Sequence, residues 1–236
     1  MFPFSNPLEV DSGFSVDVKT INDVVGPLLT KERRQKIDRV VEGRCQSVAV
    51  ILEDIYDRGN ASAVMRTAEA LGFLSIHMIE TGEKFKAANR VTQGADKWLH
   101  VKKWKSTTEC VKNLKGQGFR IFVTDLEASK PIEQIDFSEP SAIVLGNEKE
   151  GISKEMRELA DERIIIPMPG FVQSFNISVA GAISLYHIYL TRLQKWGQVG
   201  DLNSDQQEIL RALYTLRTQD SAPDILRDWI KKKASL

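Results

Sequence analysis

Histidine and cysteine are scarce in this 236-residue chain: it has three histidines (His77, His100, His187) and two cysteines (Cys45, Cys110). The cysteines stand far apart, with no further thiol or imidazole at ligand spacing. That excludes a disulfide framework and a zinc site and makes a reducing compartment the natural expectation. An excess of one charge is missing too, because 32 Lys and Arg balance 32 Asp and Glu. Bulk electrostatics therefore cannot hold a polyanion, and any such contact must come from local basic patches. No apolar run approaches the ~20 residues that a membrane-spanning helix needs. The first residues carry Glu9, Asp11 and Asp17 and no arginine before Arg33, a pattern that fits neither a signal nor a transit peptide. The default expectation is an intracellular, cytoplasmic protein; an organelle stays open if a longer precursor is trimmed before Met1. Common cofactor signals are absent as well. No GxGxxG follows the first apolar strand, no GxxxxGK[ST] occurs, and neither GxSxG nor HExxH is present.

From Ser47 onward, short apolar runs alternate with amphipathic segments. VAVIL (48–52), LSIHMI (74–79), FRIFVT (119–124), AIVLG (142–146) and RIII (163–166) each have the length of a buried strand. His77, inside one of them, reads as a structural residue. Between the runs lie helix candidates over about 60–71, from Ser106 or Thr107 to about Gly116, and after a Ser153 cap. This alternation predicts an α/β fold, a mainly parallel sheet with helices on both faces. Residues 1–26 read as an extended, poorly anchored arm. Residues 27–198 read as the main domain, opened by a basic helix over TKERRQKIDRVVEGR, and residues 199–236 as a helical extension. A long helix, ISVAGAISLYHIYLTRLQKW, begins with small residues that permit close backbone approach and stops at Gly197.

Unusual residues concentrate in three segments. DRGNASAVMRTAEALG (57–72) is a strand-end loop opening a helix, with Asn60 as a good N-cap and Arg66 off the Ala61/Val64/Ala68 stripe. IVLGNEKEGIS (143–153) runs from a buried strand into a loop bounded by Gly146 and Gly151. Glycine at both ends suits a backbone lying close to a ligand, and suits a tight strand–helix turn equally well. IIIPMPGFVQSFNISVAGA (164–182) runs from a strand through two prolines to Ser174 and Asn176 before a small-residue helix. Singly, each segment is also explained by ordinary capping and turn chemistry.

In this order and combination, the segments resemble the three signature motifs of the SpoU branch of the SPOUT RNA methyltransferases, over roughly residues 30–195, and most closely its transfer-RNA branch. The resemblance implies a C-terminal trefoil knot, which nothing in composition or periodicity shows. It implies S-adenosyl-L-methionine as cofactor, held by Leu145, Gly146, Asn147, Glu148, Gly151, Ile166, Met168, Ser174, Phe175, Asn176 and Ser178. It implies methyl transfer to a ribose 2′-hydroxyl of tRNA, at guanosine 18 of the D-loop, by a homodimer with no metal and no membrane. Arg66 is the implied catalytic residue, with Asn60, Glu148, Ser174 and Asn176 supporting. Because a guanidinium normally stays charged, Arg66 would either take the hydroxyl proton after desolvation or stay cationic and stabilise the developing oxyanion.

RNA contact needs cations, and two regions offer them. One is the basic helix with Arg33, Arg34 and Arg39; the other is the stretch with Lys84, Lys86, Arg90 and Lys97, interleaved with Trp98 and Trp104. A solvated charged face over buried tryptophans would read the same way. Before Asn60 the tRNA branch commonly shows a His-containing run, whereas this chain has Tyr56-Asp57-Arg58-Gly59. That departure leaves the target open, with a ribosomal-RNA ribose methyltransferase as the alternative; a catalytically silent RNA-binding protein on the same fold is the reading from another class.

Overall fold

A computed structural model describes residues 2–81, 94, 96–126 and 130–234. In chain order the elements are β1 (Leu8–Asp11), β2 (Phe14–Val16), α1 (Val18–Val24), α2 (Lys31–Glu42), β3 (Cys45–Glu53) and α3 (Arg58–Ala70). There follow β4 (Phe73–Ile79), β5 (His100–Trp104), α4 (Thr107–Lys115), β6 (Arg120–Thr124), β7 (Lys130–Pro131) and β8 (Ser141–Leu145). The chain closes with α5 (Lys154–Leu159), β9 (Glu162–Ile165), α6 (Ile177–Trp196), α7 (Ser204–Thr218) and α8 (Ala222–Ala234). These elements divide into two compact units, Cys45–Val199 and a unit made of Met1–Arg44 with Gly200–Leu236.

The larger unit is a seven-stranded sheet in the order β5-β4-β3-β8-β6-β9-β7, with every pairing parallel. Parallel strands need helical crossovers, which cover both faces, so the central strands are apolar on both sides. In β3, Val48, Val50 and Leu52 pack in one core with Val64 and Ala68 of α3 and Leu185 and Ile188 of α6. Ala49 and Ile51 point the other way, into a core with Val111 and Leu114 of α4 and Met156 of α5. The small residues at the start of α6 allow a close approach: a Cβ on Gly181 would lie 2.9 Å from Leu145 Cδ1 and 3.0 Å from Val64 Cγ2. Gly197 ends that helix in the left-handed conformation at φ 71°.

Two strands of this sheet escape the hydrophobic pattern. HVKKW forms β5, an edge strand whose lysines interrupt any apolar run, and β7 is only Lys130–Pro131. His77, 5% exposed, accepts at Nδ1 from Trp104 Nε1 at 3.0 Å, so it is held within the β4–β5 pair.

In the other unit the N-terminal residues are not a bare extended arm. β1 and β2 form an antiparallel hairpin, and α1 follows with Asp17 as its N-cap. α1 and α2 pack against α7. Arg44, 1% exposed, donates from Nε to the Tyr214 hydroxyl at 2.9 Å, and Arg211 pairs with Asp38 at 2.6 Å. Burying a guanidinium is tolerable only with such partners. Among the described residues no helix is long and apolar enough to cross a membrane, and no group of three or more His, Cys, Asp or Glu could hold a metal ion.

Candidate active site

Because all seven strands run the same way, the loops after β3, β8, β6 and β9, four adjacent strands, leave the sheet at one edge. Open α/β sheets bind ligands beyond the carboxyl ends of their strands. Here those loops and the start of α6 enclose a cleft of about 410 Å³, within the ordinary range for a small-molecule site. Its apolar wall is Ile164, Ile165, Ile166, Met168, Ile177 and Ala180, and its polar side includes Thr124, Asp125, Asn147, Glu148, Ser174 and Asn176.

The register explains the cleft's tightest part. Leu52 of β3 lies beside Leu145 of β8, so the residues that follow emerge together. Asn147 Nδ2 donates to the Asp54 carbonyl at 2.6 Å, while Asn147 Oδ1 accepts from Lys149 N and Glu150 N at 2.8 and 3.1 Å. The loop closes on itself through Asn147 N to Gly151 O at 3.0 Å and Gly151 N to Asn147 O at 2.8 Å. Gly146 is required there, since a Cβ would sit 2.5 Å from the Gly151 carbonyl oxygen. Below the loop, Glu53, 2% exposed, accepts from Ser153 N and Oγ at 3.0 and 2.8 Å and from Thr107 Oγ1 at 3.1 Å. It thereby holds the N-cap of α5 against the end of β3.

Glu148 ties the three motif segments together. It accepts from Tyr56 N at 2.7 Å, Asp57 N at 3.1 Å and Asn60 Nδ2 at 2.8 Å. Asn60 Oδ1 in turn accepts from Asn176 Nδ2 at 3.2 Å, and Asn176 Oδ1 accepts from Ser178 N and Oγ at 2.8 and 2.6 Å. Burial alone would raise the Glu148 carboxyl. The bonds from Asn60 and from the Tyr56 and Asp57 backbone outweigh it and hold the pKa below the ordinary glutamate value. Asn60 is free for this because it does not cap α3. The cap is Asp57, whose carboxylate accepts from Gly59 N at 2.7 Å. This corrects the expectation that Asn60 is the cap: Asp57 competes for the same job from three residues earlier.

Of the residues that the motifs single out for the cofactor, Gly146, Asn147, Glu148, Gly151, Ile166, Met168, Ser174, Phe175 and Asn176 line the cleft. Leu145 and Ser178 do not. Leu145 is fully buried beneath it against α6, and Ser178 is bonded to Asn176. Arg66 is exposed on α3 and is not among the lining residues of its own chain. The end of β6, Thr124–Asp125–Leu126, is a part of the lining that the motifs do not cover. The strand FRIFVT is legible in the sequence, but nothing in its residues marks its carboxyl end as facing the cleft. Asp125 is held by Arg157 Nε at 2.8 Å.

Two carboxylates lie along the cleft, both already partnered: Asp125 is buried against Arg157, and Glu148 is held by Tyr56, Asp57 and Asn60. Lys149, the lysine among the described lining residues, lies over the Tyr56 ring at 4.4 Å. Of the cations predicted to meet RNA, Arg33, Arg34 and Arg39 are exposed on α2, and Lys97 is exposed beside the Trp98 ring at 5.6 Å. Lys84, Lys86 and Arg90 lie outside the described residues.

Comparison with known proteins agrees with this geometry. The model of the SpoU rRNA Methylase family matches residues 47–186. The tRNA (guanosine(18)-2′-O)-methyltransferase of Borreliella burgdorferi is 36% identical over 192 residues, 81% of this chain and 88% of that protein. The protein of the same name from Thermus thermophilus is 35% identical over 166 residues, 70% and 86% of the two chains. The crystal structure of the Aquifex aeolicus TrmH/SpoU tRNA modifying enzyme aligns with TM-score 0.70 at 32% identity, covering 80% of this chain and 97% of that one. An AdoMet-bound rRNA methyltransferase from Sinorhizobium meliloti aligns with TM-score 0.55 at 26% identity, covering 64% and 59%. With its family model covering more than half its length and a relative 36% identical over 81% of it, the chain belongs to the SpoU methylase family.

Proposed function

We propose that the protein transfers a methyl group from S-adenosyl-L-methionine to a ribose 2′-hydroxyl of tRNA, at guanosine 18. The observation that carries this reading is the Glu148–Asn60–Asn176 junction, which joins all three motif segments at the mouth of the cleft. Two relatives of similar length carry that activity in their names, and the S. meliloti structure holds the same cofactor. The cofactor would lie along Ile166, Met168 and Phe175, with backbone of the Gly146–Gly151 loop within reach.

The cofactor supplies a methyl group already activated on a sulfonium, so the protein's task is placement and charge. Asn60 and Asn176, fixed by their mutual bond and by Glu148 and Ser178, offer a rigid polar rim where a ribose can dock. Ser174 stands at the same rim. Arg66 is assigned the developing 2′-oxyanion: as a fixed cation it would stabilise that charge while the hydroxyl proton passes to solvent water and the methyl group leaves its sulfur for the oxygen.

Since Arg66 does not line the cleft of its own chain, we assign it to the cleft of a second copy in a homodimer. The exposed Val179, Ile183, Tyr186 and Leu193 stripe of α6 supplies an apolar face for that association. Arg33, Arg34, Arg39 and Lys97 are assigned to RNA. The trefoil thread through the loops after β8 and β9 belongs to the same reading. We assign residues 1–26 to an N-terminal arm, 27–198 to the methyltransferase domain with its basic N-terminal helix, and 199–236 to a helical extension.

The test is transfer of labelled methyl from the cofactor to tRNA transcripts and, in parallel, to large-subunit rRNA fragments. Label on tRNA alone is expected. Label on the rRNA fragments alone would move the target to the ribosome, and absence of cofactor binding by calorimetry would leave an RNA-binding protein.

A further inference from the structure

Asp54 is the one described non-glycine residue with a positive φ, 47°, and it lies immediately after β3, outside the three motif segments. The left-handed conformation costs an ordinary L-residue free energy and is tolerated best by Gly, Asn and Asp. Strain of this kind persists only where surrounding contacts fix it, and here they do. Asp54 N donates to Ile79 O at 2.9 Å. Its carboxylate accepts from Thr81 N at 2.8 Å and Thr81 Oγ1 at 2.6 Å, tying the end of β3 to the end of β4.

The turned peptide presents its carbonyl to Asn147 Nδ2 at 2.6 Å. Both ends of the Asn147 amide are thus committed, one to Asp54 and the other to the Lys149 and Glu150 amides. Beside the Glu148 bonds, the loop lining the cleft is thus held by a residue that lines no part of it.

We infer that Asp54 is a positioning residue: its left-handed backbone, locked by the Thr81 tether, sets the Gly146–Gly151 loop in its cofactor-binding geometry through the Asn147 amide. The inference rests on the reading of the cleft as an S-adenosyl-L-methionine site. It predicts an order of effects on cofactor affinity that exceeds any shared order in thermal stability. Asp54→Asn keeps the backbone preference and an acceptor for Thr81. Asp54→Gly keeps the backbone but loses the tether. Asp54→Ala loses both.

The experiment titrates S-adenosyl-L-methionine into wild type and the three variants by calorimetry, with thermal melting alongside. Binding by Asp54→Asn is expected within about twofold of wild type, and binding by Asp54→Ala roughly 5- to 30-fold weaker, the range set by the left-handed penalty. Asp54→Gly falls between them. In turnover assays, KM for the cofactor rises while kcat at saturation is kept. Thr81→Val, whose side chain is remote from the cleft, weakens binding in the same sense and serves if Asp54→Ala does not fold. Equal cofactor affinity in wild type, Asp54→Ala and Thr81→Val would overturn the inference, as would an affinity loss in Asp54→Asn equal to that in Asp54→Ala. A wild-type protein that does not bind the cofactor would instead overturn the reading of the cleft, and this inference with it.

Discussion

If Arg66 acts in the cleft of a second copy, two inactive chains can restore each other. Asn60 and Arg66 share α3, but six residues separate them by about 9 Å along the axis and about 120° around it. Asn60 faces Glu148 and Asn176, whereas Arg66 is exposed on another side. Arg66→Ala alone should lower the transfer rate by about 10²- to 10³-fold, the loss typical of one oxyanion-stabilising group, with cofactor affinity nearly unchanged. Asn176→Ala alone should also be inactive, because it breaks the rim at the cleft. Co-expressing the two variants under different affinity tags yields mixed dimers in which one site carries both lesions and the other carries neither. Random pairing makes about half the dimers mixed, each with one intact site of two, so the unfractionated mixture should recover about one quarter of wild-type activity. Dimers purified through both tags should recover about half. No recovery beyond the sum of the two single variants would refute the shared site and return Arg66 to its own chain, or to a structural role.

Further outcomes follow from the geometry. Burial, aided by the charges of His100 and Lys102, lowers the His77 pKa to about 4. The unfolded chain takes a proton as pH falls through about 6.5 while the folded one does not, so stability is lost between that value and about 4. Urea unfolding should show about 2 kcal/mol less stability at pH 5 than at pH 7 from this group. His77→Gln, which keeps an acceptor for Trp104, should remove that part of the difference, and an unchanged pH dependence would contradict the assignment. Gly146→Ala should cost about 1–3 kcal/mol by overpacking and abolish detectable cofactor binding, because the added carbon meets backbone rather than a movable side chain. Wild-type affinity in that variant would refute the closed loop.

Much of the sheet was legible because β3, β4, β6, β8 and β9 are apolar runs of strand length. A strand buried on both faces can hardly hide. β5 was not legible, since an edge strand carries His100, Lys102 and Lys103 without penalty from burial. The N-terminal hairpin was missed for a related reason: Leu8 and Val16 are its buried contacts, too few to make a pattern. At the site, the residues of the second and third motifs fell on the cleft because their spacing places them at strand ends. Asn60 was found, but its partner was not, because sequence gives two eligible caps, Asp57 and Asn60, and only the fold decides between them. Thr124 and Asp125 went unremarked since nothing local distinguishes a strand end that faces a ligand from one that does not. Arg66 marks a different boundary, because a single chain's sequence does not say in whose cleft a side chain works.

The most direct test of the account is a map of ribose methylation on a defined tRNA transcript incubated with the protein and S-adenosyl-L-methionine. The account predicts one new 2′-O-methyl group, at guanosine 18, lost when Arg66 is replaced by alanine and lost when that nucleotide carries a 2′-deoxyribose. A methyl group on the base, or undiminished transfer to the deoxy substrate, would contradict it.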